Sequence, residues 1–365
     1  VSGPKAQAES SGAIRALKER LGSELLLLGH YYQDPQILAL SDQVGDSYQL
    51  SVAASRSEAR FIVFCGVRFM AESARILAKP EQRVFLPDLE AGCPLADTIT
   101  PGGFRAAMEE LASLWGEAPV PVLYVNSTAE LKALAGEAGG LCCTSSNAGR
   151  IVARLLGEGR RVLLAPDGNL ARNVADSLGQ PVVICRPGPS GSARDAGAQE
   201  AGAQEAGARR AGAETTRIAA WPGFCPVHQC MTAEDVQRAR ERYPGCRVLV
   251  HPECPPAVAR LSDFSGSTAQ LLEQAMRAPA AATLVIGTEG TFVGWLGSRR
   301  PDLTVLPLRR SRCRDMARIT PRKLRATLER LQGAGPVAQE VFVPAEVRAP
   351  ALAALQRMIT YTEAS

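Results

Sequence analysis

Three short apolar runs along the chain each end in polar groups. Residues 25–28 (LLLL) lead into Gly29, His30, Tyr31 and Tyr32; residues 120–126 (VPVLYVN) end in Tyr124 and Asn126; residues 246–253 (CRVLVHPE) end in His251 and Glu253. Such runs predict buried parallel strands that deliver functional groups at their carboxyl ends. His30 and Asn126 are 96 positions apart, and Asn126 and His251 are 125 apart. The second interval contains a 27-residue tract, residues 188–214, built of AGAQE-like repeats, and without it the spacing is 98. The chain therefore reads as triplicated. In each repeat a second element with small polar residues follows (CGVRFMAE from Cys65, CCTSSNAG from Cys142, FSGSTAQ from Phe264), and then a third strand that ends in an acid: Asp88, Asp167 or Glu289.

The remaining pattern predicts an α/β chain of three similar repeats, residues 1–110, 111–220 and 221–320, with closing helices over 321–365. Residues 1–11 read as a frayed terminus and 12–21 as a helix with Ile14, Leu17 and Leu21 on one face. Further strands are expected at 61–65, 84–86, 162–164, 182–184, 284–286 and 305–306, and helices at 71–77, 104–114, 151–156, 232–242, 321–331 and 350–358. Ser47 is placed at a helix start, as an N-cap or an anion contact. Adjacent Cys142 and Cys143 read as core. Residues 188–214 hold no branched aliphatic or aromatic side chain and are expected to be a disordered surface insertion.

Composition narrows the class. A chain of 365 residues suits two or three domains, and 46% hydrophobic with 21% charged residues is that of a soluble globular protein. No stretch approaches the ~20 apolar residues of a membrane span. A formal charge of +4 gives no basic stripe, so neither a membrane nor a nucleic acid is implied as partner. Ten cysteines with no secretory signal in view point to a reducing, cytoplasmic setting, where thiols serve as core residues, metal ligands or nucleophiles.

One cysteine falls late in each repeat: Cys93, 63 positions after His30; Cys225, 72 after Asn126 with the tract removed; Cys313, 62 after His251. Three loop thiols on a pseudo-threefold axis could hold a cubane cluster. The spacing alone leaves zinc, or unrelated thiols, open as well, because no dense C-x2-C signature is present. Of three histidines in the chain, His30 and His251 occupy equivalent strand ends. Glu253 is the candidate general acid or base, and an enclosed strand-end carboxylate is expected to have a raised pKa. Ser267 and Thr268 suit a phosphate or carboxylate, or a plain helix cap.

With GHYYQDP, GDSYQLS, LPDLEAGCPLAD, YVNSTAE, CCTSSNA, PDGNLA, GFCPVHQ, HPECPPAV, GSTAQL, GTEG and CRDM in this order, the chain resembles the quinolinate synthase family from about Leu25 to Thr320. The resemblance implies three αβα domains about a pseudo-threefold axis and a 4Fe-4S cluster held by Cys93, Cys225 and Cys313. It implies condensation of iminoaspartate with dihydroxyacetone phosphate to quinolinate, with release of phosphate and two waters, and a functional coupling to an iminoaspartate-producing enzyme. Substrate contacts would come from His30, Ser47, Tyr124, Asn126, Ser145, His251, Glu253, Ser267 and Thr268, with Glu253, Tyr32, His30 and His251 as the catalytic set. The alternatives weighed against it are an aconitase-like iron-sulfur hydro-lyase, which would need no phosphate site, and an iron-sulfur sensor.

Two departures from the family pattern stand out. PDGNLA has Gly168 and Ala171 where lysine and glycine are expected, and the 188–214 tract precedes Cys225. Because that tract offers no apolar anchors, its deletion is expected to leave turnover within about twofold of wild type. Steady-state assay and iron content of the shortened protein check this; purification without iron would make the tract part of the cysteine loop.

Overall fold

The computed structural model describes residues 4–185, 215–333 and 337–363; the 188–214 tract lies outside them. The described strands form three parallel sheets. In the first, β1 (Leu25–His30), β2 (Gln43–Gly45), β3 (Phe61–Cys65) and β4 (Arg83–Phe85) are ordered β2-β1-β3-β4. The second holds β5 (Val120–Tyr124), β6 (Leu141–Cys143), β7 (Val162–Ala165), β8 (Val182–Ile184) and β9 (Ile218–Ala220), ordered β6-β5-β7-β9-β8. The third holds β10 (Arg247–Val250), β11 (Phe264–Ser265), β12 (Thr283–Gly287) and β13 (Thr304–Pro307), ordered β11-β10-β12-β13. Each repeat thus places its first strand between the second and third, as the α/β expectation of three repeats requires.

Continuous burial explains the continuous apolar runs. All five residues of β3 and all five of β5 are buried, as strands covered on both faces must be. Cys142 and Cys143 are fully buried on β6, as expected.

By internal contacts the chain divides into two compact units, Val1–Cys93, Glu234–Leu249 and Ser267–Pro344 in one, and Pro94–Ala233, Val250–Gly266 and Ala345–Ser365 in the other. In the first, Ile14, Leu17 and Leu21 of the helix Pro4–Leu21 are buried, and that helix packs on the helix Pro321–Leu331. In the second, Phe104, Leu111 and Trp115 of the helix Pro101–Trp115 meet Leu123, Leu163, Ala219 and Trp221 from the sheet.

Several local expectations are corrected. The first helix begins at Pro4. Two strands, β2 and β9, were not legible, because QVG and IAA each hold a single branched aliphatic residue and so form no apolar run. Finding β2 reassigns the elements. CGVRFMAE follows β3, so the counterpart of CCTSSNAG and FSGSTAQ is QVGDSYQL at β2. Asp88 likewise follows the fourth strand of its sheet, whereas Asp167 and Glu289 follow third strands. Ser47 is the first helical residue, and its neighbour Asp46 is the N-cap, in a capping box with Gln49. The last helix runs Ala345–Glu363 with Pro350 inside it. A proline this early costs one backbone bond, which the packing of that helix on the helix Ala129–Glu137 offsets.

That packing is close at Gly136, where an added Cβ would lie 1.9 Å from the Pro350 carbonyl oxygen. Arg357 Nη1 also donates to Gly136 O at 3.2 Å and Gly140 O at 2.6 Å. Gly136→Ala is therefore expected to destabilise the fold by about 2 kcal/mol or more, the scale of overpacking against backbone. A thermal midpoint equal to that of wild type would contradict this.

Candidate functional site

The polar groups gather where parallel strands end. In the first unit β1 ends at His30, and the next turn carries Tyr32. The buried His30 ring accepts the Tyr32 backbone N–H at Nδ1 (3.2 Å), which places its proton on Nε2, and it meets the Tyr32 ring edge-on at 4.7 Å. Tyr32 Oη lies 2.8 Å from Thr288 Oγ1 and accepts from Thr268 Oγ1 at 3.3 Å. Ser267 is the N-cap of the helix Thr268–Met276, with a capping box to Gln270, and its hydroxyl also donates to Asp46 Oδ2 at 3.2 Å. Asp46 thereby joins the Ser47 and Ser267 turns, although the sequence reading passed it over. Burial raises the Asp46 carboxyl, against hydrogen bonds from Gln49, Ser267 and Tyr48 that lower it.

The second unit is organised around Glu253, 3% exposed. Tyr124 Oη, at the end of β5, donates to Glu253 Oε1 at 2.5 Å, and His228 Nδ1 lies 2.8 Å from Oε2, which requires an Nδ1–H donor. His251 stacks on His228 with ring centroids 4.5 Å apart, its Nδ1 4.0 Å from Glu253 Oε1. Ser145 hydrogen-bonds the Tyr124 hydroxyl, and Asn169 Nδ2 donates to Glu253 O at 3.1 Å. Asn126 carries a buried Oδ1 with no hydrogen-bond partner among the described residues, an acceptor open to a ligand.

The expected raised pKa of Glu253 is overturned. Burial alone would raise it, but the charges of His228 and His251 and the bonds from His228 and Tyr124 outweigh burial and hold the carboxyl at about 2. Glu253 is thus an ionised acceptor and cannot serve as a general acid at neutral pH. Asp167, buried beside this charge, is pushed well up, first by desolvation and then by Glu253. Tyr124 rises for the same two reasons.

His228 is the residue the sequence reading missed. It is one of only three histidines in the chain, and it stands three residues after Cys225 in GFCPVHQ, which was the available signal. Cys225, His228 and Glu253 offer ligand atoms all within 4.8 Å of one another, a group able to hold a metal ion. Among the ten free thiols, Cys93, Cys225 and Cys313 are half-buried on loops, Cys230 is exposed and the rest are buried. Burial pushes Cys142 up to about 12, Cys143 and Cys254 well above the usual thiol value, and Cys313 up to about 11, so exposure rather than acidity separates the loop trio from the core thiols. The partly exposed loop trio fits the donor set of a thiolate-bound group, and the core thiols do not.

Gly168, the first departure, also has a physical reason. A Cβ there would lie 2.7 Å from Trp221 O, so the backbone approach excludes a side chain such as lysine without a shift. Ala171 is fully buried.

Parallel sheets with buried polar groups at strand ends, and a Cys/His/Glu group able to hold a metal, define an α/β protein with an enzyme-like, metal-capable site. The family model described as quinolinate synthetase A protein matches residues 12–360. The chain is 39% identical to the quinolinate synthase of Corynebacterium glutamicum over 96% of its own length and 87% of the relative's. It is 39% identical to that of Acidobacterium capsulatum (95% and 91%) and 36% identical to that of Bacillus anthracis (95% and 91%). The chain belongs to the quinolinate synthase family. Among the described residues no helix is long and apolar enough to cross a membrane.

The Glu253 environment sets a pH dependence. A carboxyl lowered from 4.5 to about 2 on folding contributes stability that is present above 4.5 and is lost as pH falls through about 2. Wild type is therefore expected to lose more stability than Glu253→Gln between these pH values. Denaturant titrations at a series of pH values check this, and parallel curves for the two proteins would contradict it.

Proposed function

We propose that this protein is a quinolinate synthase of NAD biosynthesis, condensing iminoaspartate with dihydroxyacetone phosphate to quinolinate with loss of phosphate and two waters. The observation that carries the reading is the buried Glu253 hydrogen-bonded by Tyr124 and His228, on a chain that matches the family over almost its whole length. Cys93, Cys225 and Cys313 are assigned as ligands of a 4Fe-4S cluster, for which their half-buried loop positions are suited. When bound, the cluster supplies an iron with an open position that acts as a Lewis acid on substrate oxygens.

The chain's own groups do the rest. Glu253 is assigned as the ionised acceptor that holds the Tyr124 hydroxyl and the His228 imidazole in place beside the substrate, since both its oxygens are taken by them and its low pKa makes it a weak base. The tautomer of His30 gives it an Nε2–H donor for a carboxylate or carbonyl oxygen, and His251 is assigned the same task. Tyr32, whose hydroxyl is linked to Thr268 and Thr288, is assigned proton transfer to a leaving hydroxyl. Ser47, Asn126, Ser145, Ser267 and Thr268 are assigned to orienting carboxylates and phosphate, with Asn126 Oδ1 best placed to receive a donor. A cytoplasmic setting and coupling to an enzyme that produces iminoaspartate accord with this chemistry, since iminoaspartate hydrolyses readily.

Glu253→Gln is expected to keep the cluster and lower turnover about 100-fold or more. Single serine variants of Cys93, Cys225 and Cys313 are expected to lose the visible iron-sulfur absorption and activity, and Cys230→Ser and Cys254→Ser to retain the absorption. A cluster that survives Cys225→Ser, or wild-type turnover in Glu253→Gln, would overturn the respective assignment.

A further inference from the structure

The acids at the ends of β7 and β12 were noticed in the sequence, yet the proposed chemistry gives them no task. Both are buried, and both begin a helix with glycine: Asp167 is the N-cap of Gly168–Ser177, and Glu289 that of Gly290–Arg299. In each case the glycine N–H donates to the carbonyl two residues before a cysteine, Gly168 to Gly223 O at 2.8 Å and Gly290 to Ser311 O at 2.9 Å. The approach is tight, since a Cβ on Gly290 would lie 2.5 Å from Ser311 O. The carboxylates complete the grip. Glu289 Oε1 accepts the Cys313 backbone N–H at 3.2 Å, and the Cys225 backbone N–H acts in the same way on Asp167.

The first repeat keeps the carbonyl contact and changes the carboxylate. Its helix Arg68–Leu77 has Val67 as N-cap, and Arg68 N–H donates to Ala91 O, again two residues before the cysteine, at 2.7 Å. With no acid at the cap, the amide beside Cys93 is taken from elsewhere: Gly92 N–H donates to Asp315 Oδ1 at 3.1 Å. One carboxylate thus holds a backbone amide at or next to each of the three loop thiols.

We propose that Asp167, Glu289 and Asp315 are positioning residues that fix the backbones of the Cys225, Cys313 and Cys93 loops, each within its own unit, and so hold the thiols assigned to the cluster without themselves touching it. This rests on the ligand assignment of the preceding section. A side-chain oxygen that accepts a backbone N–H fixes that amide whether or not the acid is ionised, and groups that orient metal ligands from behind are commonly worth 10–100-fold in metal retention.

The test uses the cluster-loaded protein, prepared anaerobically, and follows iron released to a chelator by loss of the visible absorption. Asp167→Ala, Glu289→Ala and Asp315→Ala are expected to release iron about tenfold faster than wild type. Asp167→Asn, Glu289→Gln and Asp315→Asn keep an oxygen for the amide and are expected to return the rate to within about threefold of wild type. Alanine variants that release iron at the wild-type rate, or amide variants as leaky as alanine, overturn the proposal. Gly168→Ala and Gly290→Ala leave the carboxylates in place but push a Cβ onto the loop backbone, and faster release is expected there too. Wild-type rates in both glycine variants overturn the proposal even where an alanine variant is recovered unfolded. If instead the cysteine-to-serine variants keep the cluster, the ligand assignment fails first. If they lose it while the carboxylate variants behave as wild type, only the positioning role fails.

Discussion

Parallel pairing is the constraint from which the other features follow. Strands such as β3 and β5 are buried on both faces, so they carry almost nothing polar along their length. Polar side chains are confined to the carboxyl ends, where the backbone leaves the sheet and a helix must start. Helix starts need acceptors for unpaired amides, and Asp46, Asp167, Ser267 and Glu289 supply them. Cap and site are therefore built from the same turns. Ser267 shows the overlap: one hydroxyl caps a helix through Gln270 N–H and donates to Asp46.

Around Glu253 the balance between desolvation and charge decides the chemistry. A carboxyl this deeply buried would stay protonated if nothing opposed burial. Here two histidines and a tyrosine are grouped about it, and the ionised form wins. Asp167 collects backbone donors from Leu170, Asn169 and Cys225, but burial and the Glu253 charge outweigh them and its carboxyl is pushed up. Two buried carboxyls thus diverge because one collected the positive neighbours.

Close backbone approach accounts for residue choices that side-chain chemistry does not. At Gly168, where the family pattern has lysine, an added Cβ would lie 2.7 Å from the Trp221 carbonyl oxygen, and at Gly290 one would lie 2.5 Å from that of Ser311. Gly136 serves helix packing in the same way against Pro350. At all three the missing Cβ allows carbonyl oxygens nearer than any side chain would permit.

The sequence by itself determined the triplication, the first strand of each repeat and the third strands of the second and third repeats, the strand-end candidates His30, Asn126, His251 and Glu253, and the family, because apolar runs and ordered motifs are local signals. It also singled out the three loop cysteines, by recurrence at matching offsets. What only the tertiary structure decided lies in contacts between residues distant along the chain. β2 and β9 exist because neighbouring strands pair with them, since QVG and IAA form no apolar run of their own. The ionised state of Glu253 depends on Tyr124, 129 positions away, and on His228, 25 away. Asp167 and Asp88 look alike in a strand-then-acid pattern, and sheet order alone separates them. Pairing and charge compensation act through space, and the order of residues records them only where the partners are also neighbours in the chain.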